Sequence, residues 1–465
     1  MFQLLRVRSF AVCLVAVGAC VCFFGSVRLA TAADNATAGS SVYHADPQHL
    51  WNRLHAALFD RVGPDGKTYR PDRIEPLLWP GTKHLLEDRF RDRVLALLEE
   101  FLKQKGETLI EDPLKRAVLQ RDLWLVFNWL EGEHSNFQPP ELTPQKVSAS
   151  RHQLRRPLAA VIGRLALSPD QIERLPDNFA AAVASGEFAK SYDPTKPDQA
   201  YLPPELFAAD GPWVCVGRSD GGIVARLHLR DDNGNSFTNS TFLVFLRLPD
   251  GRAATLDYLQ RLRDEPRDQN VANTTLPKLP QFPKGTEVAL VRRALLIAAP
   301  HTLTPTALTE SIQLRVYREV PELTPQSLKG GGNNVRSWQS SFEFRLRRSR
   351  LFAGQAGGLH AAYPTQLDFK TGFGNKFRDP FDDSLRSSET FPLARQESVT
   401  GVCFACHSYP GVYSFNSFRN FRGGGGGDNG PAPLAAMSLA EVNQAAIKWK
   451  LDRPNWSSLR RLLAE

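Results

Sequence analysis

The spacing of apolar residues along this chain changes once, at about residue 205, from a helical period to a strand period. Apolar side chains recur every three or four residues over 46–190, whereas 205–355 holds short runs rich in β-branched and aromatic residues. Helices and strands segregated in this way favour an α+β fold. The 465 residues suffice for several domains. We therefore predict a multidomain α+β protein with an N-terminal helical domain and an antiparallel, β-rich middle domain.

Capping signals mark the starts of the predicted helices. Asp46 precedes an amphipathic run, Asp112 precedes a proline, and Ser168 with Gln171 forms a capping box. Helices of this kind bury their apolar faces against one another, so we expect an antiparallel helical domain over 46–190.

Turn signals divide the β-rich region, 205–355. Asp232-Asn233-Gly234 and Pro249-Asp250-Gly251 predict hairpin turns. The segment "TLDYLQRLRDE" predicts a helix packed on the sheet. Six segments predict the strands: "PWVCVGR", "GIVARLHLRDDNGNSF", "TFLVFLRLPDGR", "TEVALVRRALLIAA", "IQLRVYREV" and "SFEFRLRRSRLF".

The N-terminus has the pattern of a secretory signal peptide, which we assign to residues 1–32. Arg6 and Arg8 precede an apolar run, and Ala30-Thr31-Ala32 matches the small-residue site that a signal peptidase needs. This pattern predicts export to the periplasm or the extracellular space. Two other fates stay open. The run could remain as a membrane anchor, alone or through the lipoprotein-like Val17-Gly18-Ala19-Cys20, or it could pack as a buried helix.

Charge and cysteine content limit the classes of partner. The net charge of +8 falls to about +5 if the three arginines of the signal peptide are removed, a small excess for so long a chain. We therefore expect no nucleic-acid partner. Removal of the signal would leave Cys215, Cys403 and Cys406, too few for a disulfide framework. Cys215, within an apolar strand, is expected to be a buried core thiol.

The strongest chemical signal is the cluster Cys403-Phe404-Ala405-Cys406-His407. Two cysteines three residues apart can each form a thioether to one edge of a porphyrin, and the next residue can place its imidazole under the iron. The same cysteines could instead form a disulfide or a redox-active dithiol, or supply half of a zinc site.

This motif resembles the haem-attachment site of c-type cytochromes, and the resemblance is confined to the motif and its vicinity. It implies one covalently bound haem c, with Cys403 and Cys406 as attachment points and His407 as the proximal iron ligand. It also implies one-electron transfer to a redox partner protein. We assign a small cytochrome c-like segment of loops and short helices to 371–465.

Two residues are candidates for the sixth position on the iron. Met437 is the only methionine after Met1, and a thioether ligand would raise the haem potential. Its alternative role is packing against Val442 before the capping box that opens the next helix. His360 is the second candidate, since nearby glycines permit close approach to a flat ligand. Three other histidines lack the spacing of metal ligands and are expected at the surface: His44, His49 and His55.

The sequence thus predicts an exported c-type haem protein that transfers single electrons or forms the haem-bearing part of a redox enzyme. Arg419 and Arg422 are candidates to pair with the haem propionates. The residues before the motif would form a substrate or partner domain, and nothing in them names a substrate. The alternative is an exported structural or interaction protein whose two cysteines form a disulfide or bind a stabilising metal.

Overall fold

The computed structural model describes a mixed α+β protein, as the change of period predicts. The signal peptide predicted over 1–32 lies outside the residues that the structure describes, and so does every prediction on another undescribed residue. No helix in that described part is long and apolar enough to cross a membrane. The described residues are 42–70, 72, 82–131, 143–225, 228, 239–264, 279–322, 338–363, 366–369, 381, 396–398, 407, 410–415 and 434–465.

Five of the six described helices before residue 190 begin where a side chain accepts a hydrogen bond from one of their first N–H groups, and the helix that begins at Asp88 is the exception. The Asp112 carboxylate accepts the Leu114 N–H at 2.8 Å, and Ser168 forms the predicted capping box with Gln171. The helices are α1 (Leu50–Phe59), α2 (Asp88–Lys103), α3 (Pro113–Glu131), α4 (Pro144–Arg164), α5 (Pro169–Glu173) and α6 (Asn178–Ala184).

The start predicted for α1 is wrong by one turn. Asp46 does not cap the helix, because its carboxylate accepts the Gln48 N–H at 2.8 Å within a preceding turn. The helix begins at Leu50, and the His49 imidazole caps it by accepting the Trp51 N–H at 3.2 Å.

The strands lie in one large sheet and two small pairs. Seven of the described strands form one antiparallel sheet: β3 (Val214–Arg218), β4 (Ser240–Arg247), β5 (Glu287–Ala298), β6 (Thr302–Tyr317), β7 (Gln339–Leu346), β8 (Leu359–Ala362) and β11 (Leu434–Ala436). Their order in the sheet is β11-β3-β4-β5-β6-β7-β8. The pairs join β1 (Arg61–Val62) to β2 (Thr68–Tyr69) and β9 (Leu367–Phe369) to β10 (Gln396–Ser398).

The two faces of the large sheet differ in chemistry. Residues directly opposite in an antiparallel pair share a face, and residues two apart in one strand do so as well. Arg292 of β5 lies opposite Phe242 of β4 and opposite Ser311 of β6, so these three side chains share a face. Arg315 and Tyr317 lie an even number of residues from Ser311 along β6 and share that face too. We call this face the arginine face.

The opposite face is aromatic and is covered by the chain between α6 and β3. Phe207 meets Phe245 with ring centroids 5.4 Å apart, and Phe188 meets Phe344 at 5.0 Å. Both pairs are edge-on, an arrangement that aromatic quadrupoles favour. Two charged side chains of β5 also lie on this face: Arg293, over the Phe207 ring at 3.8 Å, and Glu287, which accepts the Tyr201 hydroxyl at 2.5 Å.

Helix α3 docks on the arginine face through buried charges. Glu310 of β6 is fully buried, and its carboxylate pairs with Arg121 of α3 and with Arg292, whose Nε lies 3.2 Å away. The Ser240 hydroxyl donates to the same carboxylate at 2.6 Å. Buried charges are tolerated only when they are paired and hydrogen-bonded in this manner.

The hairpin predicted at Pro249-Asp250-Gly251 is wrong. Gly251, with a φ of +85°, begins α7 (Gly251–Asp264), which contains the predicted helical segment. The Leu248 N–H donates to the Thr255 hydroxyl at 3.0 Å, and this bond fixes the connection between β4 and α7. Burial of the apolar face of α7, including Tyr258, outweighs the local turn preference. The other predicted hairpin, at Asp232-Asn233-Gly234, lies outside the described residues.

The helices, the sheet and the C-terminal helices share one hydrophobic core. Its members include Trp51 of α1, Trp124 of α3, Val291 of β5 and Trp456. All described elements belong to one unit, Asn35–Glu465. The domain boundaries given above stay predictions. Three further described helices complete the fold. Helix α8 (Arg348–Phe352) lies between β7 and β8, whereas α9 (Leu439–Leu451), which the predicted Ser438 capping box opens, and α10 (Pro454–Leu463) follow β11.

The surface position predicted for His55 is wrong, because His55 lies on the buried face of α1 with Trp51. Its side chain is 1% exposed, and its Nε2 lies 3.8 Å from an oxygen of Asp122. Asp122 is itself held by Arg348, at 2.6 Å and 3.0 Å. Burial, together with the nearby Arg348 charge, lowers the pKa of His55 to about 3.

His55 makes the stability of the protein fall as the pH is lowered. Its folded pKa of about 3 lies below the unfolded value of about 6.5, so below pH 6.5 the unfolded chain binds a proton that the folded chain refuses. We expect denaturant unfolding of wild type to lose about 2 kcal/mol more than His55→Gln between pH 7 and pH 5. His152→Gln, at an exposed position of α4, is the control and should follow wild type. Equal pH dependence in wild type and His55→Gln would contradict this account.

Candidate haem site around His407

The histidine of the motif is oriented by a backbone carbonyl. Cys403 and Cys406 lie outside the described residues, whereas His407 is described and half-buried. Its Nδ1 lies 2.7 Å from the carbonyl oxygen of Ser414. A carbonyl can only accept, so Nδ1 carries the proton and Nε2 carries the lone pair. Iron-binding and zinc-binding imidazoles are commonly oriented by such a bond.

The Ser414 carbonyl belongs to a short 3₁₀ helix, Gly411–Ser414, that is anchored to the end of the sheet. The Gln281 side chain accepts the Val412 N–H at 2.8 Å. The Tyr317 hydroxyl of β6 lies 2.7 Å from the Ser414 hydroxyl, within hydrogen-bond distance. These contacts fix the acceptor to which His407 donates.

A second histidine faces His407. The ring centroids of His228 and His407 are 6.2 Å apart, and their planes differ by 19°. The His228 ring also meets Phe242 of the arginine face, with ring centroids 5.6 Å apart. Burial, with smaller contributions from Arg315 and Arg292, lowers the pKa of His228 to about 4. His228 is therefore neutral at neutral pH and keeps a lone pair.

Arg315 gives the site a buried positive charge. It is 6% exposed, and its Nη1 donates to the Ser414 carbonyl oxygen at 3.3 Å. Arg292, by contrast, is paired with Glu310. No carboxylate among the described residues forms an ion pair with Arg315. A buried cation in this state favours an anionic group beside it.

Aromatic rings form an apolar wall next to the Gly411–Ser414 turn. Phe415 is buried and meets Phe282 at 5.6 Å, and Phe282 meets Tyr317 at 5.1 Å. The Tyr413 hydroxyl accepts the Leu279 N–H at 3.1 Å, so this ring is also held in place. Such a wall excludes water from its surroundings.

The structure describes both predicted sixth ligands, Met437 just after β11 and His360 on β8. Met437 follows β11, where its N–H donates to the Cys215 carbonyl at 3.0 Å and its side chain packs on Gly217. It lines a shallow cavity with Phe242 and Val442, the residue against which packing was the predicted alternative. The thioether role of Met437 stays a prediction.

His360 lies on β8, directly opposite Arg345 of β7. Arg345 in turn pairs with Ser311, so His360 shares the arginine face. Along β6, Ser311 is roughly 14 Å from Arg315, and β8 is roughly two strand spacings, or about 10 Å, from β6. The described fold therefore places His360 well away from Arg315 and its Ser414 contact.

Sequence reasoning missed His228 and Arg315. His228 stands alone in a segment that was predicted only as a strand, and no spacing links it to His407. In the sequence, Arg315 is a polar residue of an alternating strand, which is normally exposed. Its burial depends on the tertiary packing of the arginine face, so the strand pattern does not predict it. Arg419 and Arg422, the predicted propionate partners, lie outside the described residues.

Comparisons with known proteins assign no function to this site, so its function has to be inferred from its own residues. No protein-family model matches the chain, and neither a curated protein nor a solved structure matches it. Among the described residues, no group of three or more His, Cys, Asp and Glu side chains could hold a metal ion.

The turn that orients His407 depends on a glycine. Gly411 has a φ of +53°, and a Cβ there would overlap the Gln281 amide oxygen. We expect Gly411→Ala to lower the free energy of unfolding by about 2 kcal/mol more than Gly66→Ala, because only Gly411→Ala also displaces a hydrogen-bonded side chain. Gly66, with a φ of +74° and open space around it, is the matched control. Equal losses in denaturant unfolding would show that Gln281 does not constrain the turn.

Proposed function

We propose that this chain is an exported c-type haem protein that transfers one electron at a time. The observation that supports it best is the geometry of His407 within Cys403-x-x-Cys406-His407. Its Nδ1 is held by the Ser414 carbonyl, which orients Nε2 as the ligating nitrogen. This tautomer leaves the Nε2 lone pair of His407 for a metal, which a disulfide at Cys403 and Cys406 would not require.

The residues of the site fit a haem. Cys403 and Cys406 would carry the two thioethers, and His407 would bind the iron. Arg315 would neutralise a propionate, which accounts for a buried guanidinium without a carboxylate partner among the described residues. Haem, when bound, supplies an iron that alternates between the ferric and ferrous states.

The surrounding side chains suit electron transfer. Tyr317 and the Ser414 turn hold the imidazole of His407, so the ligand need not reorganise between redox states. Phe282 and Phe415 exclude water from one side, and the Arg315 charge favours the reduced form. Both effects raise the reduction potential.

We propose a redox partner protein as the source or acceptor of the electron. The helical and β-rich regions would be the partner or substrate domain of the same chain, and the substrate class stays open. Membrane association would come only from an uncleaved N-terminal segment. The charge balance gives no reason to propose a nucleic-acid partner.

Covalent haem attachment is the direct test. We expect wild type, made in a bacterial host with the c-type attachment machinery, to keep one haem after denaturation, seen as haem staining of the denatured band and as the added mass of one haem. Cys403→Ser with Cys406→Ser should remove both signals, since both thioethers are then absent. Cys215→Ser is the control and should keep them, because Cys215 lies on β3, opposite Phe245 of β4, and is not part of the Cys-x-x-Cys-His motif.

Two outcomes would contradict the proposal. A colourless wild type whose mass shows a Cys403–Cys406 disulfide would favour the structural alternative. A colourless wild type with one bound zinc would favour a metal site.

The Arg315 charge should tune the haem potential. We expect Arg315→Gln to lower the midpoint potential by roughly 50 mV, because a nearby buried cation stabilises the electron-rich ferrous state. Arg315→Lys keeps the charge and should restore most of the potential. Arg261→Gln, on the exposed face of α7, is the control, and water and salt should screen its effect. An unchanged potential in Arg315→Gln, measured by a spectroscopic redox titration, would exclude a charge beside the haem.

A further inference from the structure

We propose that His228 is the second axial ligand of the haem iron that His407 binds. This inference rests on the proposed function and adds to it a ligand from a distant segment of the chain. Neither Met437 nor His360 has this role in the proposal.

The separation of the two rings supports this assignment. Metal–imidazole bonds are about 2.0 Å long, so two imidazoles on opposite sides of one metal have ring centroids about 6 Å apart. Around a tetrahedral metal the same bonds would bring the centroids to about 5 Å. The ring centroids of His228 and His407 are 6.2 Å apart, and the ring planes are nearly parallel, at 19°. The spacing fits opposite ligation of one iron better than a tetrahedral zinc.

Direct ring stacking does not account for the pair. His44 and His49 in the same chain stack with centroids 4.4 Å apart and planes 24° apart. His228 and His407 have a similar relative orientation but are farther apart, 6.2 Å against 4.4 Å. Two imidazoles that bind one metal through their ring nitrogens would have a centroid separation of this size.

Each ring is held from a different part of the arginine face. His407 is fixed through Ser414, which Arg315 and Tyr317 of β6 contact. His228 packs on Phe242 of β4. Strand β5 separates β4 from β6 in the sheet, so the fold itself sets the distance between the two imidazoles.

The ferric holoprotein allows a test that does not depend on activity. We expect wild type to be six-coordinate and low-spin by electron paramagnetic resonance, with the near-infrared dichroism of two nitrogen ligands. His228→Ala should become high-spin and should bind carbon monoxide when reduced, because one axial position is then open. Added imidazole should restore the low-spin spectrum by entering the space that the side chain leaves.

Matched variants identify the ligand. Met437→Leu and His360→Gln should keep the wild-type spectrum. His228→Met keeps a ligating side chain, so it should remain low-spin, and its potential should be higher than that of wild type because the ligand is then a thioether. This variant also supports or overturns the proposal if His228→Ala does not fold.

Several results would overturn the inference. A low-spin His228→Ala, or a high-spin Met437→Leu or His360→Gln, would assign the ligand elsewhere while leaving covalent haem and the proposed function intact. A wild type without haem would remove the proposed function and this inference together. A His228→Met variant that is low-spin with the wild-type potential would likewise count against ligation at this position.

Discussion

The pairing of β5 with β6 is the constraint on which the rest of the structure depends. Between Glu287 and Arg292 the register is regular, and it places Arg292 opposite Ser311 and Val288 opposite Arg315. Irregularities follow between Arg292 and Leu295. Because side chains alternate between faces, a slip of one residue would move Arg315 to the aromatic face. The register therefore determines which face carries Arg292 and Arg315 and contacts the turn that holds His407.

The buried charges of the arginine face have different roles at its two ends. At the α3 end, Glu310 is compensated by two arginines, and the charges serve to dock a helix. At the other end, Arg315 contacts only neutral groups among the described residues, namely the Ser414 carbonyl and the Tyr317 hydroxyl. The same sheet thus provides a structural ion cluster and a positively charged site, and the second of these is where the motif histidine lies.

Sequence patterns predicted what depends on neighbouring residues. Five of the six predicted strands, the Ser168 and Ser438 capping boxes and the apolar stripe of α7 were confirmed, because periodicity and capping are local. The predicted strand "GIVARLHLRDDNGNSF" is wrong over 222–225, and most of its other residues lie outside the described part of the chain. The turn at Gly251 and the surface position of His55 were wrong, since tertiary burial decided both. Of the candidate site, only His407 was predictable. The approach of His228 depends on strand order, which no short motif encodes.

The position of the motif late in the chain has a simple explanation in this account. A haem attached at Cys403 and Cys406 would be covered by the arginine face and by His228, which the chain supplies much earlier. The most direct test is anomalous scattering at the iron edge from crystals of the holoprotein. The account predicts one iron peak about 2.0 Å from Nε2 of both His407 and His228. An iron bound to His407 and the Met437 sulfur, or no iron at His407, would contradict it.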